Sequence, residues 1–244
     1  VVLGIMPWNF PFWQVFRFAV PVLTAGNTAL LKHAPNVCGC ALAIEALFIE
    51  AGYPEGVLRA LFIEIDQVES VIQHDAVQGV ALTGSERAGA AVAAIAGRAI
   101  KKTVLELGGS DPYLICEDAD LDLAAAKCVQ SRLNNCGQTC ISAKRLLVHQ
   151  AVLAPFTEKL IAAIAKRRMG NPEDESINLG PMAREDLRAN LQRQVDASVA
   201  AGARLLLGGQ TPEGPGYFYP PSVLVDVRLG MPAFDEEVFG PVVS

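Results

Sequence analysis

The sequence lacks the cysteine and histidine patterns of disulfide-rich and zinc-binding proteins. It has 6 cysteines and 3 histidines in 244 residues, and no two cysteines form a Cys-x-x-Cys pair. Such sparse, irregularly spaced cysteines exclude a disulfide scaffold, and no histidine lies near them at zinc-ligand spacing. We therefore expect a reduced, cytoplasmic chain that binds no metal.

Long apolar runs and blocks of positive charge are also absent. Arg17, Pro21 and Asn27 interrupt the apolar stretch 10–31, so no run reaches the roughly 18 residues that a membrane span requires. Lys and Arg number 20 against 26 Asp and Glu, which gives a net charge of -6. This balance favours neither nucleic acid nor a membrane as a partner.

The composition is that of a folded globular protein. Hydrophobic residues make up 51% of the chain and charged residues 19%, which is apolar enough to exclude intrinsic disorder. At a prior of about 150 residues per domain, 244 residues make one large domain or two small ones.

Strand and helix patterns alternate in the first part of the chain. Predicted strands cover 1–6, 28–32, 57–63, 77–82 and 101–105. Predicted helices begin at Pro11, at Val37 after an Asn36 N-cap and before Gly52, and at Ser85. This alternation favours βαβ units around a parallel sheet.

A second block of the same kind follows Gly108 and Gly109. Its predicted strands are 113–116, 146–148 and 205–207, and its predicted helices are 121–133, 152–168 and 184–201, with a loop at 208–216. The whole pattern predicts two α/β domains, 1–107 and 108–244.

Cys140 is a candidate nucleophile. It follows the turn 137–139 and precedes the polar stretch 142–145. An exposed thiol in a positive field needs only a modest depression of its ordinary pKa of about 8.5 to become a thiolate at neutral pH. The alternative is a small buried hydrophobic side chain.

Glu106 is a candidate general base. It ends an apolar strand immediately before Leu107 and two glycines. Partial burial at this place would raise the pKa of the carboxyl group toward the range of a general base. The alternative is a solvated strand-end carboxylate that accepts nearby backbone N–H groups.

Two more motifs follow predicted strands. Gly84 and Ser85 lead into a helix, so their turn offers backbone N–H groups to a phosphate, although the G-x-G-x-x-G fingerprint is absent. A tight turn is the alternative.

Asn9 stands between Pro7 and Pro11, which restrain its backbone and therefore the direction of its side-chain amide. Such an amide is suited to donate a hydrogen bond to an oxyanion. The alternative, compatible with the first role, is that Asn9 caps the helix that begins at Pro11.

Together these motifs resemble the aldehyde dehydrogenase superfamily. The matching strings are P-W-N-F-P at 7–11, E-L-G-G at 106–109, G-Q-x-C at 137–140 and E-x-F-G-P at 237–241. The resemblance covers the whole chain. It implies a Rossmann-type parallel-sheet cofactor domain and an α/β catalytic domain, both truncated, because family members are considerably longer.

The resemblance implies roles for single residues. Cys140 is similar to the family's nucleophile, Glu106 to its base, and Asn9 to its oxyanion-binding asparagine. The remaining matches imply cofactor binding, and these residues are Trp8, Lys32, Gly84, Ser85, Glu237 and Phe239. In the family, the lysine and the glycine turn hold the adenosine ribose and phosphates, and the last two residues hold the nicotinamide ribose and ring.

One departure from the family's sequence pattern bears on the choice between NAD and NADP. Many NAD-preferring members have a glutamate three residues after the position of Lys32, where it binds the ribose 2′-hydroxyl and repels a 2′-phosphate. Pro35 stands there in this chain. We therefore expect both NAD and NADP to be accepted.

The substrate implied by the resemblance is succinate semialdehyde, oxidised to succinate. Arg17 stands where succinate-semialdehyde dehydrogenases bind the substrate carboxylate, although an ion pair is the alternative. A second arginine of some relatives is replaced by Asn134, with Arg132 nearby. The strings at 32–36 and 108–112 resemble a bacterial branch of these enzymes.

Several alternatives stay open. The substrate could be another aldehyde, such as glutarate semialdehyde, or the chain could be a catalytically inactive nucleotide-binding fragment. A CoA-acylating enzyme is disfavoured because Glu106 is present. Cys136 could form a disulfide with Cys140, or be inert. The family's dimers and tetramers imply a homodimer or homotetramer.

Overall fold

The computed structural model describes residues 1–244, which divide into two units, Val1–Gly108 and Gly109–Ser244. The first unit has two hydrophobic cores and the second unit has one. None of the helices combines the length and apolar character that crossing a membrane requires.

The first unit is a parallel sheet covered by helices. Its elements are β1 (Val2–Met6), α1 (Trp13–Thr24), β2 (Ala29–His33), α2 (Cys38–Glu50), β3 (Leu58–Ala60), α3 (Val68–Gln73), β4 (Gly79–Thr83), α4 (Glu86–Arg98) and β5 (Lys102–Glu106). All strand pairs are parallel, in the order β3-β2-β1-β4-β5. The chain therefore runs outward from β1 to β3 and then continues on the other side of β1.

Helices cover both faces of this sheet because its strands are apolar on both sides. Ala29 and Leu31 of β2 face a core formed with α1 and α2, whereas Leu30 faces a core formed with α3 and α4. A side chain on Gly4 would overlap the ring of Phe18, so this glycine lets α1 pack closely on β1. The predicted parallel α/β class is confirmed here.

The second unit has two small sheets and one core. Its elements are β6 (Pro112–Ile115), α5 (Leu121–Leu133), β7 (Arg145–Val148), α6 (Leu153–Ala165), α7 (Glu185–Ala200), β8 (Arg204–Leu207), β9 (Ser222–Val225), α8 (Pro232–Asp235) and β10 (Val242–Val243). β6 and β7 are parallel, and β9 pairs with β10 in parallel and β8 in antiparallel orientation. The core packs around buried side chains such as Phe156 and Tyr219.

Two predicted helix caps are wrong. Asn36 lies inside a single 3-10 turn, Pro35–Val37, and α2 begins at Cys38 without a side-chain cap. Asn9 does not cap α1, whose N-cap is Phe12. In both places a proline or aromatic residue continues the turn before the helix begins, so the side-chain oxygen stands too early to reach the first helical N–H groups.

Candidate functional site

The candidate residues of the first unit lie at the carboxyl edge of its sheet. Asn9 follows β1, Lys32 lies near the end of β2, Ser85 follows β4, and Glu106 ends β5. The strand order changes direction between β1 and β4. Ligands of such sheets bind outside the carboxyl ends of the strands at this switch point. The structure thus places these residues where the fold favours a ligand.

The turn after β4 presents the N-terminus of α4. The Ser85 side chain accepts the Ala88 N–H at 3.3 Å, which confirms the predicted start of this helix. The Gly84 N–H donates to the Glu106 carbonyl oxygen at 3.0 Å and so joins the ends of β4 and β5. The unpaired N–H groups of the first turn and the helix dipole suit a phosphate.

Lys32 adds positive charge to this edge. Its side chain is half-buried and forms no ion pair, and its ammonium donates to the His33 carbonyl oxygen at 3.4 Å. The lysine charge and the positive end of the α4 dipole both favour an anionic group at this edge. This arrangement fits the ribose and phosphates of a nicotinamide dinucleotide.

Glu106 is more exposed than the sequence suggested. Its side chain is 49% exposed and pairs with Arg17, which is 47% exposed, at 3.0 Å. Glu106 ends the edge strand β5, so its carboxylate is only about half covered. The alternative reading of Arg17 as an ion-pair partner describes the observed contact, and its role toward a substrate stays a prediction.

The candidate nucleophile of the second unit lies on a strained loop after α5. Cys140 is half-buried, between buried Thr139 and exposed Ile141. Earlier in the loop, Asn135 and Cys136 have φ values of 50° and 56°, and Gly137 follows at 72°. Left-handed backbone costs roughly 1–2 kcal/mol for a residue with a side chain, so the surroundings must hold this loop.

Arg132 provides one of the contacts that hold the loop. It is 0% exposed and donates hydrogen bonds to Ser142 Oγ at 2.6 Å, to the Val238 carbonyl oxygen at 2.6 Å and to the Gly240 carbonyl oxygen. Burial lowers the pKa of Arg132 to about 9, against the opposing charge of Glu237, so the guanidinium stays charged at neutral pH. A buried guanidinium with these partners is not available for a substrate carboxylate, which corrects the suggestion that Arg132 could replace the missing arginine.

Lys144 provides the second contact, and the sequence pattern did not indicate this role. It is 1% exposed, and its ammonium donates to the carbonyl oxygens of Gly109 and Cys140, each at 2.5 Å, and to Glu237 Oε1 at 2.9 Å. The stretch 142–145, expected to be polar beside an exposed thiol, is largely buried, since Ser142, Ala143 and Lys144 are all almost inaccessible to solvent. The only available signal was a lysine four residues after Cys140.

The Glu237–Pro241 segment lies against the nucleophile loop, residues 134–144, which carries Cys140. The Gln194 amide donates to the Glu237 carbonyl oxygen at 3.1 Å, and a side chain on Gly137 would overlap the backbone of Gly240. Lys144 and Glu237 stand 93 residues apart in sequence but are hydrogen-bonded. The motifs at 137–140 and 237–241 are therefore neighbours within this unit.

Cys136 is a buried cysteine in the same loop. It is 6% exposed, and burial raises the pKa of its thiol to about 12, so little thiolate forms at neutral pH. This environment is typical of a packed structural cysteine.

The aldehyde dehydrogenase family matches the sequence over residues 1–244. The chain is 53% identical over 243 residues to the NAD(P)+ succinate semialdehyde dehydrogenase Sad of Escherichia coli K12, covering 100% of this chain and 53% of that protein. It is 49% identical over 244 residues to the NADP(+) succinate-semialdehyde dehydrogenase of Mycobacterium leprae, with coverages of 100% and 53%. The chain thus spans about half the length of these relatives.

Solved structures of aldehyde dehydrogenases also superpose on nearly the whole chain. The succinic semialdehyde dehydrogenase of Streptococcus pyogenes in complex with NADP+ superposes with a TM-score of 0.96 at 39% identity, covering 99% of this chain and 53% of that one. Lactaldehyde dehydrogenase of Escherichia coli superposes with a TM-score of 0.95 at 37% identity, covering 99% and 51%. Because enzymes for different aldehydes share this fold, the fold alone does not select the substrate.

Proposed function

The chain belongs to the aldehyde dehydrogenase family, and from this premise we propose that it carries the catalytic residues of an NAD(P)+-dependent dehydrogenase that converts succinate semialdehyde to succinate. The observation that carries the proposal is the contact between the nucleophile loop and the Glu237–Pro241 segment through buried Lys144. It joins the two family motifs expected to act on the aldehyde and on the nicotinamide ribose.

In this proposal the first unit binds most of the cofactor. Lys32, Gly84 and Ser85 hold the adenosine ribose and phosphates, and Trp8 contributes from the loop after β1. The positions of Lys32 and of the α4 N-terminus at the carboxyl edge of the sheet support these roles. When bound, the cofactor accepts a hydride. Glu237 and Phe239 hold its nicotinamide ribose and ring.

Pro35 supports the use of both NAD and NADP. It follows Lys32 by three residues and carries no charge, so this position neither repels a 2′-phosphate nor binds a 2′-hydroxyl. The relatives named for NAD(P)+ and NADP(+) agree with this cofactor range.

The proposed chemistry begins at Cys140. Its thiolate attacks the aldehyde carbon and forms a C–S bond, while the carbonyl π electrons move to the oxygen. The Asn9 amide and the Cys140 N–H hold that oxyanion, a contribution that typically amounts to about 3 kcal/mol per donor. The carbonyl then re-forms as a hydride leaves the carbon, and a thioester remains on Cys140.

Glu106 completes the reaction by activating water. It accepts a proton from a water molecule, whose oxygen attacks the thioester carbon and expels the Cys140 thiolate as the carboxylic acid forms. The half-exposed position of Glu106 allows water to reach this carboxylate. Arg17, its ion-pair partner, is proposed to bind the far carboxylate of the substrate.

In this proposal 1–107 is part of a cofactor-binding domain and 108–244 is part of a catalytic domain, and the protein is a cytoplasmic homodimer or homotetramer. Other aldehydes, such as glutarate semialdehyde, would use the same residues. A nucleotide-binding chain without turnover is the second candidate.

Formation of reduced nicotinamide tests the proposal. The full-length protein and this chain would each receive succinate semialdehyde or a neutral aldehyde of similar length, with NAD or NADP. The expected result is turnover of the semialdehyde with both cofactors, and none by Cys140→Ala. Cofactor binding without turnover by the full-length protein, for any aldehyde, would contradict it.

A further inference from the structure

Lys144 is a buried cation to which the proposed chemistry gives no role. Its ammonium has three protons, and each one meets a separate acceptor: the Gly109 carbonyl, the Cys140 carbonyl and the Glu237 carboxylate. These acceptors stand 35, 4 and 93 residues from Lys144 in sequence. One side chain therefore connects three segments of the second unit.

A buried ammonium is costly unless its partners compensate for the lost hydration. Removing such a charge from water costs several kcal/mol, and a carboxylate together with well-placed carbonyls is needed to offset it. Lys144 has this set of partners at 1% exposure. Replacing Lys144 alone would leave the Glu237 carboxylate and two carbonyl oxygens without this donor.

The Glu237 side chain depends on Lys144 in a way that its backbone does not. Gln194 and Arg132 hold the backbone of this segment through the carbonyls of Glu237, Val238 and Gly240. The Glu237 carboxylate accepts its hydrogen bond from Lys144 through Oε1 and is 27% exposed, which leaves Oε2 for another donor.

We propose that Lys144 is a positioning residue that fixes the backbone of the nucleophile Cys140 and orients the Glu237 carboxylate toward the nicotinamide ribose. The inference rests on the proposed function for the roles of Cys140 and Glu237. A single ammonium group then sets the nucleophile and the ribose-binding carboxylate relative to each other within one unit.

Loss of the Lys144 charge should weaken binding of one half of the cofactor and leave the other half unaffected. Without Lys144, the Glu237 carboxylate loses the hydrogen bond to its Oε1, and we expect it to bind the nicotinamide ribose less well. The adenosine half of the cofactor, which the proposal assigns to Lys32 and Ser85, is unaffected. General damage to the protein would weaken both halves alike, so the ratio of the two affinities separates positioning from loss of structure.

The test uses calorimetric binding to full-length Lys144→Met and Lys144→Arg variants. The probes are NADP+ and adenosine 2′,5′-bisphosphate, which has no nicotinamide ribose. Loss of a charged hydrogen bond predicts an NADP+ affinity about tenfold lower in Lys144→Met, with the bisphosphate unchanged. Lys144→Arg should recover part of the loss. Lys159→Met, which breaks the exposed pair with Asp122, serves as the control and should change neither affinity.

A double-mutant cycle identifies Glu237 as the intermediary. In a Glu237→Gln background, Lys144→Met should cost no further NADP+ affinity, because the carboxylate it orients is already gone. Equal weakening of both probes, or the same loss in both backgrounds, would overturn the inference. If Lys144→Met lacks the thermal transition of the wild type, Lys144→Gln carries the same comparison, since it removes the charge but retains a donor.

Failure of the proposed function would look different. In that case the wild-type protein would oxidise no aldehyde, whatever the affinities of the variants. An active wild type with an unchanged affinity ratio in Lys144→Met would overturn only the inference about Lys144.

Discussion

The two units hold their candidate residues by different means. In Val1–Gly108 these residues follow the ends of parallel strands, and the charged pair among them, Arg17 and Glu106, is about half exposed at 47% and 49%. In Gly109–Ser244 they lie on loops anchored by Arg132 and Lys144, which are 0% and 1% exposed. The first unit positions side chains through its sheet, and the second positions them through buried charge.

This difference predicts different energetic costs of substitution. An exposed ion pair contributes about 0–1 kcal/mol, whereas removing one partner from a buried charge network costs about 3–5 kcal/mol. Substitutions in the second unit should therefore alter stability and activity together. Those at the sheet edge of the first unit should alter activity alone.

Arg132→Met should have the largest effect. It removes the donor from the buried carbonyl oxygens of Val238 and Gly240, and we expect the free energy of unfolding to fall by about 3–5 kcal/mol in denaturant titrations. Arg132→Lys, which keeps the charge, should lose less. A loss below about 1 kcal/mol in Arg132→Met would remove the contrast between the units.

Gly137→Ala, compared with Gly26→Ala, sharpens the contrast at the level of the backbone. Both glycines have positive φ, 72° and 80°, but a Cβ would overlap the Gly240 backbone at Gly137 and meet nothing within 4 Å at Gly26. Gly26→Ala should cost about 1–2 kcal/mol from backbone strain alone. Gly137→Ala should cost clearly more in thermal unfolding and abolish turnover. Equal costs would show that the close approach of the two segments is unimportant.

Arg17→Ala should leave stability within about 1 kcal/mol of the wild type, because its pair with Glu106 is exposed. If Arg17 binds the substrate carboxylate, KM for succinate semialdehyde should rise about tenfold or more while KM for a neutral aldehyde stays the same. Arg98→Ala, which breaks the exposed pair with Glu69, is the control. An equal rise for both aldehydes would leave Arg17 with the ion pair only.

Cys136 should show the smallest effect. Its thiol pKa of about 12 lies above the pH of any ordinary assay, so the thiolate fraction falls further as the pH decreases. At pH 7, iodoacetamide followed by peptide mass spectrometry should modify Cys140 and the exposed Cys116 and leave Cys136 unmodified. Labelling of Cys136 at the rate of Cys116 would revive its role as a redox partner of Cys140.

Much of the fold could be predicted because local signals agree with the final packing. The helix predicted at 121–133 is α5, Leu121–Leu133, whose N-cap Asp120 accepts the N–H groups of two residues in its first turn. The strands of the first sheet were found as apolar runs to within one or two residues, except that 57–63 is reduced to β3, Leu58–Ala60. The helix predicted at 152–168 likewise ends earlier, at Ala165.

Other elements carried no usable local signal. Helix α3, Val68–Gln73, is only 6 residues long, and β10, Val242–Val243, has 2. Strand β9, Ser222–Val225, and the short helix α8, Pro232–Asp235, were also missed. Elements this short are stabilised by their neighbours in the fold, and no periodic pattern develops within them.

The site residues also divide into those that the sequence could reveal and those that it could not. Ser85 and Glu106 could be predicted because each stands where a strand ends, and Asn9 because prolines flank it. Lys32 was implied only by the family resemblance. The burial of Arg132 and Lys144 could not be predicted from local sequence, because their hydrogen-bond acceptors stand up to 108 and 93 residues away. A cation four residues from a cysteine looks the same in sequence whether it is exposed or buried.

Trapping the acyl-enzyme tests the central claim most directly. Full-length Glu106→Gln would be mixed with succinate semialdehyde and NADP+, and its peptides analysed by mass spectrometry. The account predicts a burst of reduced nicotinamide equal to the number of sites, and a succinyl thioester on Cys140 that persists because water is not activated. A burst without this adduct, or an adduct on another cysteine, would contradict it.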